Sequence, residues 1–287
     1  MDTNDDVLPL QPPVHLPPEP ELTAAALATG LVQDGGDVLE SWAALARERL
    51  EPGGPAFLTL ARLFLAREPL TVAEPEPLAE LGLLAGGGPY ELTGLGLWTA
   101  RLLVSDASGQ DIPVYGALAG ADAAALLHGL RGYHADEREQ ELAGWLETHE
   151  PAEIAAVLTE VSPLSRAVGI DVLAEIAKDQ LDELVHEPRL GAVIAARLGR
   201  DDRQPAPEEF AWVLVDMAAA MLEFGGGVED VLRSLDTGEL AGTLTMLTLC
   251  EHPWTATVLG VFATHHSDPQ VSATARKALR RLHRLAR

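Results

Sequence analysis

The chain has 287 residues, 47% of them hydrophobic, and a formal net charge of −24. That apolar content excludes a chain too polar to fold, and the strong negative charge disfavours nucleic acids and anionic membranes as partners. The one cysteine, Cys250, excludes an intrachain disulfide and a cysteine-based zinc site.

Alanine and leucine dominate the composition, and both favour α-helix because they lose little side-chain freedom there. The β-branched runs typical of strands are few. The first six residues are acidic where a secretory signal carries positive charge, and no apolar run approaches the roughly 20 residues that span a bilayer. We therefore expect an all-α, cytoplasmic protein without a membrane segment, and the scarcity of lysine is typical of a high-GC bacterial genome.

The N-terminal part begins with a Pro-rich stretch, residues 1–20, which we expect to form a flexible tail because proline fixes φ and removes a backbone donor. Asp37 is placed to cap a helix that runs through Leu50 and ends in a Pro- and Gly-rich turn. A second helix is predicted over 56–67, where apolar residues recur at helical spacing.

A small β-hairpin is predicted next. Two short apolar segments flank the glycine-rich turn at 85–89, and Thr93 is placed to cap a helix over 94–104. The sequence Tyr90-Glu91-Leu92-Thr93-Gly94-Leu95-Gly96 resembles the "Y-x-L-T-x-x-G" pattern that closes the wing of a winged-helix domain and starts its last helix. The resemblance implies a helical, winged-helix-like domain over residues 21–115.

DNA binding by this domain is disfavoured by its charge. A winged helix that binds DNA needs a basic recognition helix ahead of the wing, whereas residues 73–77 are acidic and carry two prolines. Residues 1–120 hold 17 acidic side chains and 5 arginines, a net charge of −12. Since phosphate contacts supply most DNA affinity, we expect this domain to serve in packing or in binding a protein.

From residue 120 the pattern predicts one helix after another, with proline at several first turns and glycine after some of the ends. The predicted helices cover 123–131, 137–148, 151–159, 163–177, 188–199, 208–224, 238–250, 253–264 and a last helix from 268 onward. His149-Glu150-Pro151 recurs as His186-Glu187-Pro188, a period of 37 residues. This period is close to the scale of HEAT and armadillo repeats.

The last segment carries the clearest repeat signal. Asp268-Pro269, Val271, Ala275 and Ala278-Leu279 resemble the second helix of a HEAT repeat. The resemblance implies a HEAT-like, armadillo-type helical solenoid over residues 120–287, a fold whose extended surfaces bind partners.

Motifs for chemistry are lacking in the sequence. It contains no H-E-x-x-H pair, no phosphate-loop lysine after its glycine runs and no G-x-S-x-G elbow. The histidines His149, His186, His252 and His266 lie near predicted helix ends, where we expect them to cap or terminate helices. We expect no catalytic residue, no metal and no cofactor, although an active site need not be local in sequence.

The candidate partner-binding residues fall into two groups. The final helix concentrates positive charge, with no acidic residue within 276–287; it could dock an acidic partner or RNA. The same charge could instead stabilise the helix C-terminus, pair with the protein's own acidic surface, or form the polar face of a terminal repeat. Three tryptophans and Phe210 are candidate anchors on the inner face of the repeats, or core residues. The candidates are Arg276, Lys277, Arg280, Arg281, Arg284, Arg287, Trp145, Trp212 and Trp254.

Three functional hypotheses remain open on this evidence. The first is a non-enzymatic protein–protein interaction or scaffold module that binds another protein on the helical-repeat surface. The second is a transcription-related regulator that contacts nucleic acid through the winged-helix-like region or the basic last helix. The third is an enzyme with a small-molecule pocket between helices.

Overall fold

The computed structural model describes residues 13–200, 205–225, 228–235 and 240–285. These residues form sixteen α-helices, one 3-10 turn and one two-stranded antiparallel sheet. The predicted all-α character is therefore confirmed. The chain divides into two compact units, and the division falls between Ala117 and Leu118.

The N-terminal unit is built from five helices and a hairpin. Asp37 begins the second helix, where its carboxylate accepts the Glu40 backbone N–H at 2.9 Å, and Pro55 begins the third from a first-turn position that needs no backbone donor. The elements are α1 (Glu19–Ala28), α2 (Val38–Arg49), α3 (Pro55–Ala66), α4 (Glu76–Glu80), β1 (Leu84–Gly86), β2 (Tyr90–Leu92) and α5 (Gly94–Ser108).

The hairpin pairs Leu84 with Leu92 and Gly86 with Tyr90. Thr93 joins it to α5: its hydroxyl accepts the Gly96 backbone N–H at 2.9 Å and donates to the Gly82 carbonyl at 2.9 Å. A Cβ on Gly96 would overlap the Leu83 carbonyl. The Tyr90–Gly96 motif therefore holds the first turn of α5 against the base of the hairpin.

The start of the described chain differs from the expected flexible tail. Residues 13–18 are extended, but Val14 is only 5% exposed and exchanges backbone hydrogen bonds of 3.1 Å with Pro113 and Tyr115. Helix α1 begins at Glu19, inside the Pro-rich stretch, because proline is tolerated in a first helical turn. Residues 1–12 of the predicted tail lie outside the described residues.

The secondary structure described for the C-terminal unit consists of helices and the 3-10 turn. Its elements are α6 (Ala123–Leu130), α7 (Ala135–Trp145), α8 (Pro151–Val157), α9 (Pro163–Ile176), α10 (Lys178–Leu184), α11 (Gly191–Arg197), α12 (Pro207–Glu223), α13 (Val228–Ser234), α14 (Leu240–Met246), the 3-10 turn Leu247–Leu249, α15 (Thr255–His265) and α16 (Pro269–Leu285). This unit has two apolar cores. The first apolar core contains Trp145, the second apolar core contains Phe262, and Trp212 packs against both.

The helix expected over 188–199 starts later than predicted. The Glu187 carboxylate accepts the backbone N–H groups of Arg189 and Leu190, both at 2.6 Å. This turn contains Pro188, so α11 begins only at Gly191. Because Pro151 does begin α8, the two copies of the His-Glu-Pro sequence do not occupy equivalent positions.

No helix in the described part of the chain is both long enough and apolar enough to cross a membrane.

Candidate functional site

Trp145 is not an exposed anchor. Its side chain is 0% exposed, its indole N–H donates to the Ala121 carbonyl at 2.8 Å, and its ring stacks on His149 at 4.4 Å. Trp145 is instead a core residue, which is the alternative that the sequence left open. The other two candidate tryptophans are half-buried: the ring of Trp212 meets the edge of His252 at 4.3 Å, and Trp254 precedes α15.

The basic candidates of the last helix lie in α16, and all five described ones are exposed: Arg276, Lys277, Arg280, Arg281 and Arg284. Arg287 lies outside the described residues. The structure does not bring the described cations and the three tryptophans together into one site. An open apolar surface lies elsewhere in the C-terminal unit.

That surface is a cavity of about 770 Å³ lined by α9, α11, α12 and the start of α13, hereafter the α12 groove. Helix α12 and its C-cap supply a stripe along it, formed by Val213, Met217, Ala220, Met221 and Phe224. Leu164 and Ala167 of α9 and Val193 and Ala196 of α11 complete the apolar lining.

The α12 groove leaves large apolar side chains open to solvent. Phe224 is 60% exposed and Met217 is 41% exposed. Helix α12 also buries Leu214, Val215 and Ala218 on its other side. Helix α12 therefore has a buried apolar side and an exposed apolar stripe.

Asp216 is the buried carboxylate that borders the groove. It is only 4% exposed and forms an ion pair with the Arg166 guanidinium of α9, and it accepts a hydrogen bond from His252 Nε2 at 3.1 Å. Arg166 further donates to the carbonyls of Leu158 and Val161, at 2.8 and 3.0 Å. Asp216 thus ties α12 to α9 and to the segment that precedes α15.

Both ring nitrogens of His252 have partners inside the protein. Nδ1 accepts the Trp254 backbone N–H at 3.1 Å, which assigns the proton of a neutral ring to Nε2, where it is donated to Asp216. A general base needs a free nitrogen within reach of its substrate. The geometry of the Asp216–His252 pair is therefore that of a structural cross-link.

The charged groups at the rim of the groove are paired within the protein. Arg197 of α11 forms a two-point ion pair with Asp171 of α9, and Asp230 of α13 pairs with Arg233 at 2.6 Å. A ligand is not required to neutralise either pair, so the groove offers mainly apolar contact. Within the described ranges, no three His, Cys, Asp or Glu side chains are close enough together to hold a metal ion.

The sequence carries a partial signal for this site. Met217, Met221 and Phe224 recur at i, i+4 and i+7, and Asp216 interrupts an otherwise apolar run. On a helix, the first pattern marks one face, and a lone carboxylate among apolar residues marks a buried ion pair or hydrogen bond. The partners on α9 and α11 are distant in sequence and were not predictable.

No protein-family model matches the chain, and no curated protein and no solved structure matches it.

Proposed function

We propose that this protein is a non-enzymatic protein-interaction module whose C-terminal unit binds an amphipathic helix of a partner protein in the α12 groove. The observation that carries this proposal is the exposed apolar stripe of α12, with Met217 and Phe224 open to solvent beside a cavity of about 770 Å³.

The length of the stripe favours a helical occupant. From Val213 to Phe224 there are eleven helical rises, roughly 16 Å or three turns. A partner helix of three turns presents apolar side chains at i, i+3 or i+4, and i+7, which is the recognition pattern of helix-in-groove binding. Ala220, at the centre of the stripe, allows a helix to approach closely.

The side chains of the stripe also suit binding. Methionine is unbranched and polarisable, so Met217 and Met221 can repack around apolar groups of different shapes. Phe224 can bury its ring against a partner, and buried aromatic anchors carry much of the energy of protein interfaces.

The C-terminal unit as a HEAT-like solenoid stays part of this proposal. Helices packed against near neighbours in sequence, such as α8 with α9 and α15 with α16, support it. Five of its helices have only seven residues, which is short for such repeats. In a solenoid of this kind, the α12 groove would be the binding surface.

The N-terminal unit as a winged-helix-like partner module is likewise proposed. An isolated antiparallel bridge between Leu70 and Tyr90, beside the hairpin, supports this proposal. Between Leu70 and the hairpin stands only α4, a five-residue helix that contains Glu76 and Glu80. An acidic helix of this length favours a protein partner over DNA.

A second candidate function has one observation in its favour. A cavity of about 770 Å³ is within the size range of small-molecule sites, so an apolar small molecule is the alternative occupant. The polar groups that fix orientation in such sites are here engaged with one another, as in the pairing of Asp216 with Arg166. We therefore favour a helix.

The test is a selection from a library of displayed helical peptides, with the full chain as target. We expect the selected peptides to share apolar residues at i, i+3 or i+4, and i+7. Phe224→Ala should weaken their binding about tenfold, since it removes a large anchor. The matched control is Leu249→Ala, because Leu249 is 44% exposed and lies outside the groove.

Two results would overturn the proposal. One is a set of selected peptides that lose no affinity with Phe224→Ala. The other is a selection that yields no helical peptide while an apolar small molecule raises the melting temperature of the wild-type chain and not of Met217→Glu. The second result would move the protein to the small-molecule class.

A further inference from the structure

A basic surface lies on α16, outside the α12 groove. Lys277, Arg280, Arg281 and Arg284 are all exposed, and at 100° per residue they occupy an arc of about 100° on the helix. We call these four residues the basic face. The opposite side of α16 buries Ala275 and Ala278 in the second apolar core.

The described elements that pack against α16 do not neutralise this face. Helix α16 packs against α14, the 3-10 turn and α15, and none of these segments contains an Asp or Glu. Residues 240–285 contain two acidic residues, Glu251 and Asp268, and the Asp268 carboxylate accepts the Gln270 backbone N–H at 2.7 Å. Among the described residues, none of the four cations forms an ion pair.

The helix macrodipole does not account for the cluster. Its effect is confined to the last turn of a helix, and Arg284 is the one member of the basic face in the last turn of α16. Arg276 lies beside the face, but it has a structural contact: its guanidinium donates to the Ala263 carbonyl at 3.1 Å. We leave Arg276 out of the basic face for that reason.

The cations of the basic face destabilise α16 by repelling one another. Lys277 with Arg281, and Arg280 with Arg284, are like charges at i and i+4, a spacing at which like charges repel each other and destabilise a helix. In a chain of net charge −24, four exposed cations without internal partners have no evident structural use. Charge complementarity points to an anionic ligand.

We propose that the basic face docks a short acidic segment of a partner protein. The face extends over seven helical rises, roughly 10 Å, so it matches about two turns of an acidic helix or a few extended residues. A nucleic acid is a long polyanion that would continue beyond the face onto a strongly acidic molecule. Since charges interact over a Debye length of about 8 Å at physiological salt, a short acidic segment meets attraction without that repulsion.

The test measures binding of a fluorescent decaglutamate peptide to the full chain by polarisation at low salt. We expect Arg280→Gln/Arg281→Gln to weaken binding about tenfold, because two charge pairs are lost. The matched control is Lys178→Gln/Arg189→Gln, which changes the net charge equally at two exposed cations elsewhere in the unit. Lys277→Gln/Arg284→Gln provides an independent second variant of the face.

Equal binding by the face variants and the control would overturn the proposal, as would no binding of decaglutamate by the wild-type chain. Single-stranded RNA or phosphatidylserine vesicles are run in parallel. If either probe binds more tightly than decaglutamate and depends on the basic face in the same way, that class of molecule replaces the acidic protein segment as the occupant, and the proposal is overturned. Helical content by circular dichroism confirms that each variant is folded, and glutamine is a good helix former.

Discussion

Asp216 is the buried carboxylate of the candidate site. It joins the Arg166 guanidinium, buried at 4% exposure, to the His252 ring, and so links three segments of the C-terminal unit. A buried charge that loses its partner costs far more than an exposed one, because neither water nor protein then compensates it. Asp216 therefore helps to hold α12 in position beside the groove.

We expect Asp216→Ala to lower the free energy of unfolding by about 3–5 kcal/mol, since it leaves the Arg166 charge buried and unpaired. Urea unfolding followed by tryptophan fluorescence measures this. The control is Asp171→Ala: its ion pair with Arg197 is nearly half exposed, and exposed pairs contribute below about 1 kcal/mol. Similar losses in the two variants would show that the buried pair has no special structural role.

A second prediction about stability concerns Gly96 in the N-terminal unit. We expect Gly96→Ala to destabilise this unit by about 1–3 kcal/mol, because the added Cβ overlaps the Leu83 carbonyl and the helix must shift. Gly260→Ala in α15 is the control, since a Cβ there meets open space and alanine should stabilise the helix by about 0.5–1 kcal/mol. A Gly96→Ala variant as stable as wild type in thermal denaturation would contradict the packing described for the motif.

Residues whose role depends on near neighbours in sequence were predictable. Asp37 and Thr93 were expected to begin helices, and each accepts a backbone N–H three residues on. The partners of Asp216 were not predictable, because Arg166 and His252 lie 50 and 36 residues away in sequence. A capping pattern is local, whereas a buried ion pair is a property of the folded chain.

At the scale of elements, α16 is the helix whose charges oppose its stability. Arg280 has like-charged neighbours at both i−4 and i+4, Arg276 and Arg284. We expect Arg280→Gln to leave the stability unchanged or to raise it by about 0.4–1 kcal/mol, from two repulsive pairs of about 0.2–0.5 kcal/mol each. Thermal denaturation at low and at 1 M salt measures this, and the gain should vanish at high salt.

A loss of stability above about 1 kcal/mol in Arg280→Gln, at either salt concentration, would mean that Arg280 has a structural partner. It would also remove the argument that the basic face exists for a ligand. The exposed surface position of Arg280 makes such a loss unexpected.

The long helices α9 and α12 were predicted from the sequence, whereas the short helices α10 and α13 were not. Helices α9 and α12, with 14 and 17 residues, show several helical repeats of apolar residues and capping signals in the sequence. Helices α10 and α13 have seven residues each and bury one residue each, Leu181 and Val231. Two turns with one buried position give no periodicity to detect, so packing in the folded unit determines these helices.

At the scale of the whole molecule, composition indicated the class of fold and not the site. The richness in alanine and leucine predicted a helical protein, which the structure confirms. The α12 groove arises where α9, α11 and α12 meet, and no local pattern encodes that meeting. The sequence of α12 places apolar residues on both sides of the helix. Only the folded structure distinguishes the buried side from the exposed side.

The proposed binding surface and the proposed acidic-segment site assign different chemistry to different parts of the C-terminal unit. The α12 groove offers apolar contact with rim charges that are already paired, and the basic face offers unpaired positive charge. Binding in the groove should therefore change little with salt, and binding at the basic face should fall steeply with salt. A partner that carries an amphipathic helix and an acidic segment would use both surfaces.

The most direct measurement of groove binding is methyl NMR of the full chain labelled with ¹³C at its methionine methyl groups. The chain has four methionines; Met217 and Met221 line the groove, and Met246 packs against the second apolar core outside it. On titration with a selected helical peptide, we expect the Met217 and Met221 signals to shift and the Met246 signal to stay unchanged. Saturation of the peptide with no shift at Met217 and Met221, or with an equal shift at Met246, would contradict binding in the groove.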